Sequence, residues 1–106
     1  MPIMEISIIP LGTKSPSVST YVASCVNVLN RDKKVRYQLT SMGTIVESKN
    51  VDTLLTIVKK MHNSVFSKEV QRVVTTIKID DRKDRTLSIE GKVQAVRRKL
   101  KKRNTR

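Results

Sequence analysis

Apolar and polar positions alternate along residues 3–9, placing Met4, Ile6 and Ile8 on one side of an extended segment and Glu5, Ser7 and Ile9 on the other. This is the period of a half-buried strand, and Pro10 and Gly12 end it. Ser15 followed by Pro16 predicts a helix start, because a serine oxygen caps free backbone amides and proline tolerates the first turn. Val18, Val22, Cys25, Val26 and Leu29 then recur at helical spacing to about Asn30. Val35, Tyr37 and Leu39 alternate again, and residues 44–47 are rich in β-branched side chains beyond a short turn at Gly43, which predicts a hairpin. Asn50 predicts the cap of a second helix reaching about Phe66, with Leu54, Ile57, Val58, Met61 and Val65 on its apolar face. Val73, Thr75, Ile77 and Ile79 alternate with Val74, Thr76, Lys78 and Asp80 in the strongest strand signal of the chain. A charged loop over residues 80–85 follows, and Ile89, Val93, Val96 and Leu100 trace a last helical stripe.

The resulting order is strand, helix, strand, strand, helix, strand, helix. Two strand–helix–strand halves joined by a hairpin predict an α+β fold, a ferredoxin-like βαββαβ sandwich with a four-stranded antiparallel sheet plus a C-terminal helix. Its first and third strands are central. The helices cover one face, and the other presents Glu5, Ser7, Ile9, Arg36, Gln38, Thr76 and Lys78. Parity allows Glu5 to lie beside Thr76 or Lys78 of the last strand. A carboxylate in mid-sheet is costly to bury alone, so it is expected to be solvated, paired or meeting a ligand.

Length and composition narrow the function classes. The 106 residues form one domain over residues 1–100, with residues 101–106 as a basic tail. Aromatic residues are only 3% of the chain, so the core must be aliphatic. The single cysteine, Cys25, can form neither an internal disulfide nor a thiolate metal cluster. No run approaches the ~20 apolar residues of a membrane helix and no secretion signal opens the chain, so a soluble, cytoplasmic protein is expected. Of the net charge of +13, seven charges fall in the last ten residues and six in the preceding 96. The excess is largely a property of the C-terminal end.

Catalytic and metal constellations are not apparent. Ser17, Ser19 and Thr20 have no partner base and read as first-turn helix residues. His62 is the only histidine and reads as structural or solvent-facing rather than catalytic. Asp80, Asp81 and Asp84 are interleaved with Arg82, Lys83 and Arg85, which favours a self-paired loop over a cation site.

Four ordered runs carry a resemblance. Residues 5–13 (EISIIPLGT), Ser17-Val18-Ser19 with Tyr21-Val22-Ala23, residues 42–47 (MGTIVE) and residues 73–82 (VVTTIKIDDR) resemble the small thiamine-binding-protein-like family. The likeness spans residues 4–100. Met4 and Ser48 depart from it, where small residues are common, as does the basic end. The resemblance implies a ferredoxin-like fold, association through the sheets into a homodimer or homotetramer, and binding of thiamine or its hydroxymethylpyrimidine part. An aminopyrimidine offers an amine donor beside ring-nitrogen acceptors, which a carboxylate and a hydroxyl can meet together. The candidate ligand residues are therefore Glu5, Ser7, Ser19, Thr44, Glu47, Thr76 and Lys78. The leading expectation is a non-enzymatic binding protein that holds this ligand on or beside the open sheet face of a homo-oligomer, with no cofactor, no metal and no membrane partner. A nucleic-acid-associated protein using the basic end is the alternative, weakened because the open sheet face lacks the stacking aromatics of RNA-binding sheets.

Overall fold

A computed structural model describes residues 1–104, with side chains as far as Lys101. The elements follow the predicted order: β1 (Ile3–Leu11), α1 (Ser19–Asn30), β2 (Val35–Leu39), β3 (Thr44–Ser48), α2 (Val51–Val65), β4 (Arg72–Asp80) and α3 (Ile89–Asn104). The sheet is antiparallel in the order β2-β3-β1-β4, so the fold is ferredoxin-like with β1 and β3 central. α3 is one continuous helix across positions 100 and 101. No helix among the described residues is long and apolar enough to cross a membrane.

The core is the aliphatic layer between α1, α2 and one sheet face. Met4, Ile6 and Val46 from the central strands meet Leu29 of α1 and Leu54, Ile57 and Met61 of α2, each almost completely buried. Every one of these positions follows from period 2 in the strands or period 3.6 in the helices. His62 also serves this layer: its Nδ1 lies 2.6 Å from the Thr75 hydroxyl and its ring meets Phe66 edge-on.

Helix α2 starts as predicted, with Asn50 Oδ1 accepting the Thr53 N–H at 2.8 Å. Helix α1 does not. Ser15 and Pro16 precede it, and the helix begins at Ser19 with Val18 in the cap position and no side-chain cap. The Ser15 hydroxyl instead accepts the Ser17 N–H at 3.1 Å, and Thr13 Oγ1 donates to the Ser15 carbonyl at 2.7 Å. A serine oxygen that closes a local turn competes with helix capping, and here the turn wins. Gly12, at φ +79°, supplies the left-handed residue that lets the chain leave β1.

The hairpin turn is closed by Thr40, whose N–H and hydroxyl both donate to the Gly43 carbonyl while the hydroxyl accepts the Gly43 N–H. Gly43 suits a close approach: a Cβ there would stand 3.1 Å from the Ile6 carbonyl oxygen of β1, tighter than ordinary van der Waals contact.

Candidate functional site

Strand β1 is nine residues long and β3 only five, and the difference makes a cleft. The β1–β3 ladder ends at the Ile6–Thr44 pair, whereas β1 stays paired with β4 to Leu11. Ser48 donates to the Pro2 carbonyl, so even-numbered residues of β1 turn their backbone groups toward β3. By that alternation the N–H and C=O of Ile8 face the space past the end of β3, where no strand meets them. Pro10, the next residue with this orientation, has no N–H to leave unpaired.

The cleft at this place has a volume of about 230 Å³. Its floor is apolar, formed by Ile8, Val22, Cys25 and Met61, and Leu39 and Met42 stand at its rim. Thr44 lies on the helix-covered face, 5% exposed, and its hydroxyl has no hydrogen-bond partner within the described chain. Ser7 lines the cleft from β1, although by parity its side chain stands on the open face. None of the lining side chains is ionised at neutral pH. Cys25 is no exception, because burial pushes its thiol up, partly opposed by the Ser64 hydroxyl 4.0 Å away. A protonated thiol among methyl groups acts as wall.

The other candidate residues are distributed elsewhere. Glu5 and Lys78 are cross-strand neighbours on the open face and form an exposed ion pair at 3.9 Å. Thr76 stands exposed beside Ser7 on the same face. Ser19 opens α1, its hydroxyl 3.2 Å from that of Ser17. Glu47, a candidate ligand residue, is 1% exposed and lies outside the cleft. Its Oε2 accepts the Ile89 N–H at 2.7 Å and its Oε1 lies 3.5 Å from Arg36 Nη1, while the other arm of Arg36 pairs with Glu90. Glu47 thus caps α3 from the floor of the sheet, satisfying a backbone donor that the helix itself leaves open. Glu5, Ser19, Glu47, Thr76 and Lys78 do not line the cleft; Ser7 and Thr44 do.

Val22, Cys25, Met42 and Met61 were read from the sequence as core or turn residues, and the Ile8 main chain carries no side-chain signature at all. The sequence pattern ends the first strand at Pro10, whereas β1 runs through it to Leu11, because the ring nitrogen of Pro10 faces the side where β3 has already ended and no ladder hydrogen bond is lost.

Comparison with known proteins agrees with this architecture. The chain is 40% identical over 103 residues to the UPF0045 protein YqgV of Bacillus subtilis, covering 94% of this chain and 98% of that one. It is 43% identical over 96 residues to a UPF0045 protein of Methanothermobacter thermautotrophicus, covering 91% and 96%. The crystal structure of a hypothetical protein from Methanocaldococcus jannaschii superposes with a TM-score of 0.81 at 38% identity, over 90% of this chain and 94% of that chain. The family model described as thiamine-binding protein matches residues 4–97, and with nearly the whole domain inside that match, the chain belongs to this family.

Proposed function

We propose that this protein is a non-enzymatic binder of thiamine or its hydroxymethylpyrimidine part, with the neutral aminopyrimidine ring held in the cleft at the end of β3. The observation that carries this reading is the uncharged, largely apolar cleft in which the Ile8 N–H and C=O have no strand partner. A backbone donor and acceptor side by side complement a ring nitrogen beside an exocyclic amine. Thr44 adds a hydroxyl at the same wall. At about 230 Å³ the cleft is smaller than the ~300–1,000 Å³ of drug-sized sites, which fits one substituted ring better than two. The cationic thiazolium of thiamine then stays outside, since no carboxylate lines the cleft to offset its charge. Ser7 and Thr44 remain ligand residues in this proposal, while Glu5 and Lys78 are assigned to the open face.

That face supports self-association. Ile9, Leu11 and Val74 are exposed on it around Glu5, Ser7 and Thr76, and a homodimer or homotetramer joined through the sheets removes them from water.

Titration calorimetry with hydroxymethylpyrimidine, thiamine and thiamine phosphates tests the ligand assignment. The expected result is binding of the pyrimidine, and binding of thiamine no tighter than that. Heat signals absent for all three at millimolar ligand, or present only for the phosphates, overturn it. Light scattering across a concentration series tests the assembly.

A further inference from the structure

The opposite end of β1, about 17 Å from the Ile8 cleft by strand rise, carries a second concavity of different chemistry. The loop that follows β4 folds against the first three turns of α3 and encloses a groove of about 390 Å³. Arg82, Arg85, Lys92 and Arg98 line it with the hydroxyl of Thr86, and Asp80 is its one lining carboxylate. Two of the cations are already engaged: Lys92 with Asp80, and Arg82 with Asp84, which is held below the usual carboxylate range by that guanidinium. These pairs fix the groove wall. Arg85 and Arg98 form no ion pair within the described chain, although Arg85 is near enough to Asp84 to help lower it.

From this arrangement we infer a second binding site, for phosphate groups, in the groove between the β4–α3 loop and α3. Two unpaired guanidinium forks facing one groove match the paired oxygens of phosphate, and forks bind such groups with more directionality than ammonium ions do. The remaining excess of positive charge over Asp80 strengthens the local field without competing for the ligand. The chemistry is common to a small phosphorylated ligand and to a nucleic-acid backbone. The site is independent of the pyrimidine cleft, because no residue lines both.

A built-in comparison makes the inference testable. Arg31, Lys33, Lys34 and Lys60 line another basic surface hollow with Asp32, similar in charge but dominated by lysines. Inorganic pyrophosphate is titrated into the full chain at low and at physiological ionic strength. Arg85→Gln/Arg98→Gln is expected to weaken binding by about tenfold or more, as loss of charge-assisted hydrogen bonds of ~1.5–3 kcal/mol implies. Arg85→Lys/Arg98→Lys, which keeps the charge and removes the fork, is expected to weaken it about threefold. Lys33→Gln/Lys34→Gln, an equal loss of charge, is expected to change it by less than about twofold. Equal losses in the two Gln variants, or no binding to the unmodified protein, overturn the inference. Displacement of bound pyrophosphate by a single-stranded oligonucleotide assigns the site to a nucleic-acid backbone. Arginine-dependent pyrophosphate binding without such displacement assigns it to a small phosphorylated ligand. Hydroxymethylpyrimidine binding should be unchanged throughout, so failure here and failure of the cleft reading are separate results. All the substituted residues are exposed, and circular dichroism verifies that each variant is folded.

Discussion

Helices α2 and α3 carry stripes of the same period and meet different fates. Leu54, Ile57, Met61 and Val65 of α2 are at most 2% exposed, whereas Val93, Val96 and Leu100 of α3 are 43–58% exposed. The difference lies in what each helix finds opposite itself. α2 lies on Met4, Ile6 and Val46, already turned toward it by the pleat. α3 is held at its N-terminal end by polar contacts: Glu47 on the Ile89 amide, Arg36 on Glu90, and Lys92 on Asp80. Beyond that anchor it leaves the body. The radius of gyration of 16.1 Å exceeds the ~13 Å expected for a compact domain of this length, and the longest extent is 56 Å. An apolar period therefore announces that a helix has a face to bury, not that the same chain will bury it.

The largest effect that can break this comparison comes from truncation of equivalent positions. Leu54→Ala or Ile57→Ala is expected to cost ~2–5 kcal/mol in urea denaturation, since each leaves a cavity in a closed layer. Val96→Ala is expected to cost less than ~0.5 kcal/mol at low protein concentration. A comparable cost at both positions would mean that the α3 stripe is covered in solution, and a cost that grows with protein concentration would name a second copy as the cover.

The anchor comes next in size. Glu47→Ala strips the Ile89 amide of its acceptor and Arg36 of one partner, with an expected loss of ~1–3 kcal/mol. Hydrogen exchange should locate the damage in the first turn of α3 and leave α2 protected. If α2 loosens equally, the two helices are not separate units. Glu47→Gln retains an acceptor and is expected to fall between alanine and the unmodified protein.

In the cleft, Thr44→Val replaces a hydroxyl without an intrachain partner by a methyl of similar size. Stability should hold within ~1 kcal/mol, while pyrimidine binding weakens about fivefold for the loss of one hydrogen bond of ~1 kcal/mol. Equal ligand affinity in the variant removes Thr44 from the site.

The smallest expected effect is at the loop joining β4 to α3. Arg82 holds the Asp84 carboxyl below 3.8, first through their hydrogen bonds. A carboxyl depressed in the folded state stabilises it above the unfolded value and loses that contribution as pH falls through the folded one. Asp84→Asn should therefore remove a contribution that is present at neutral pH, small because both groups are exposed to solvent, and the stabilities of the two proteins should converge as pH falls below 3.8.

Much of the molecule was legible from local pattern. The alternation of Met4, Ile6 and Ile8, the Asn50 cap and the helical stripes placed the core and the strand order, because burial selects side chains by the two simple periods of backbone geometry. Parity and topology narrowed the neighbour of Glu5 to Thr76 or Lys78, and the register of the folded sheet selected Lys78. Local chemistry misled at Ser15–Pro16, where one serine oxygen had two competing uses and the choice depended on how the chain leaves β1. Glu47 was read as a ligand residue for a different reason: its burial depends on a helix that begins 42 residues later.

What this sequence determined by itself is the order of its elements, the sides of β1, β2 and β4 that face the helices and the family to which it belongs. Those properties depend on neighbours within a few positions, or on patterns repeated along the whole chain. The tertiary structure alone decided where β3 stops against β1, that Ile8 offers its main chain to the resulting cleft, and that Arg85 and Arg98 share a groove. Each of these depends on the meeting of segments far apart in the chain, and main-chain groups left unpaired by such meetings have no residue type to signal them.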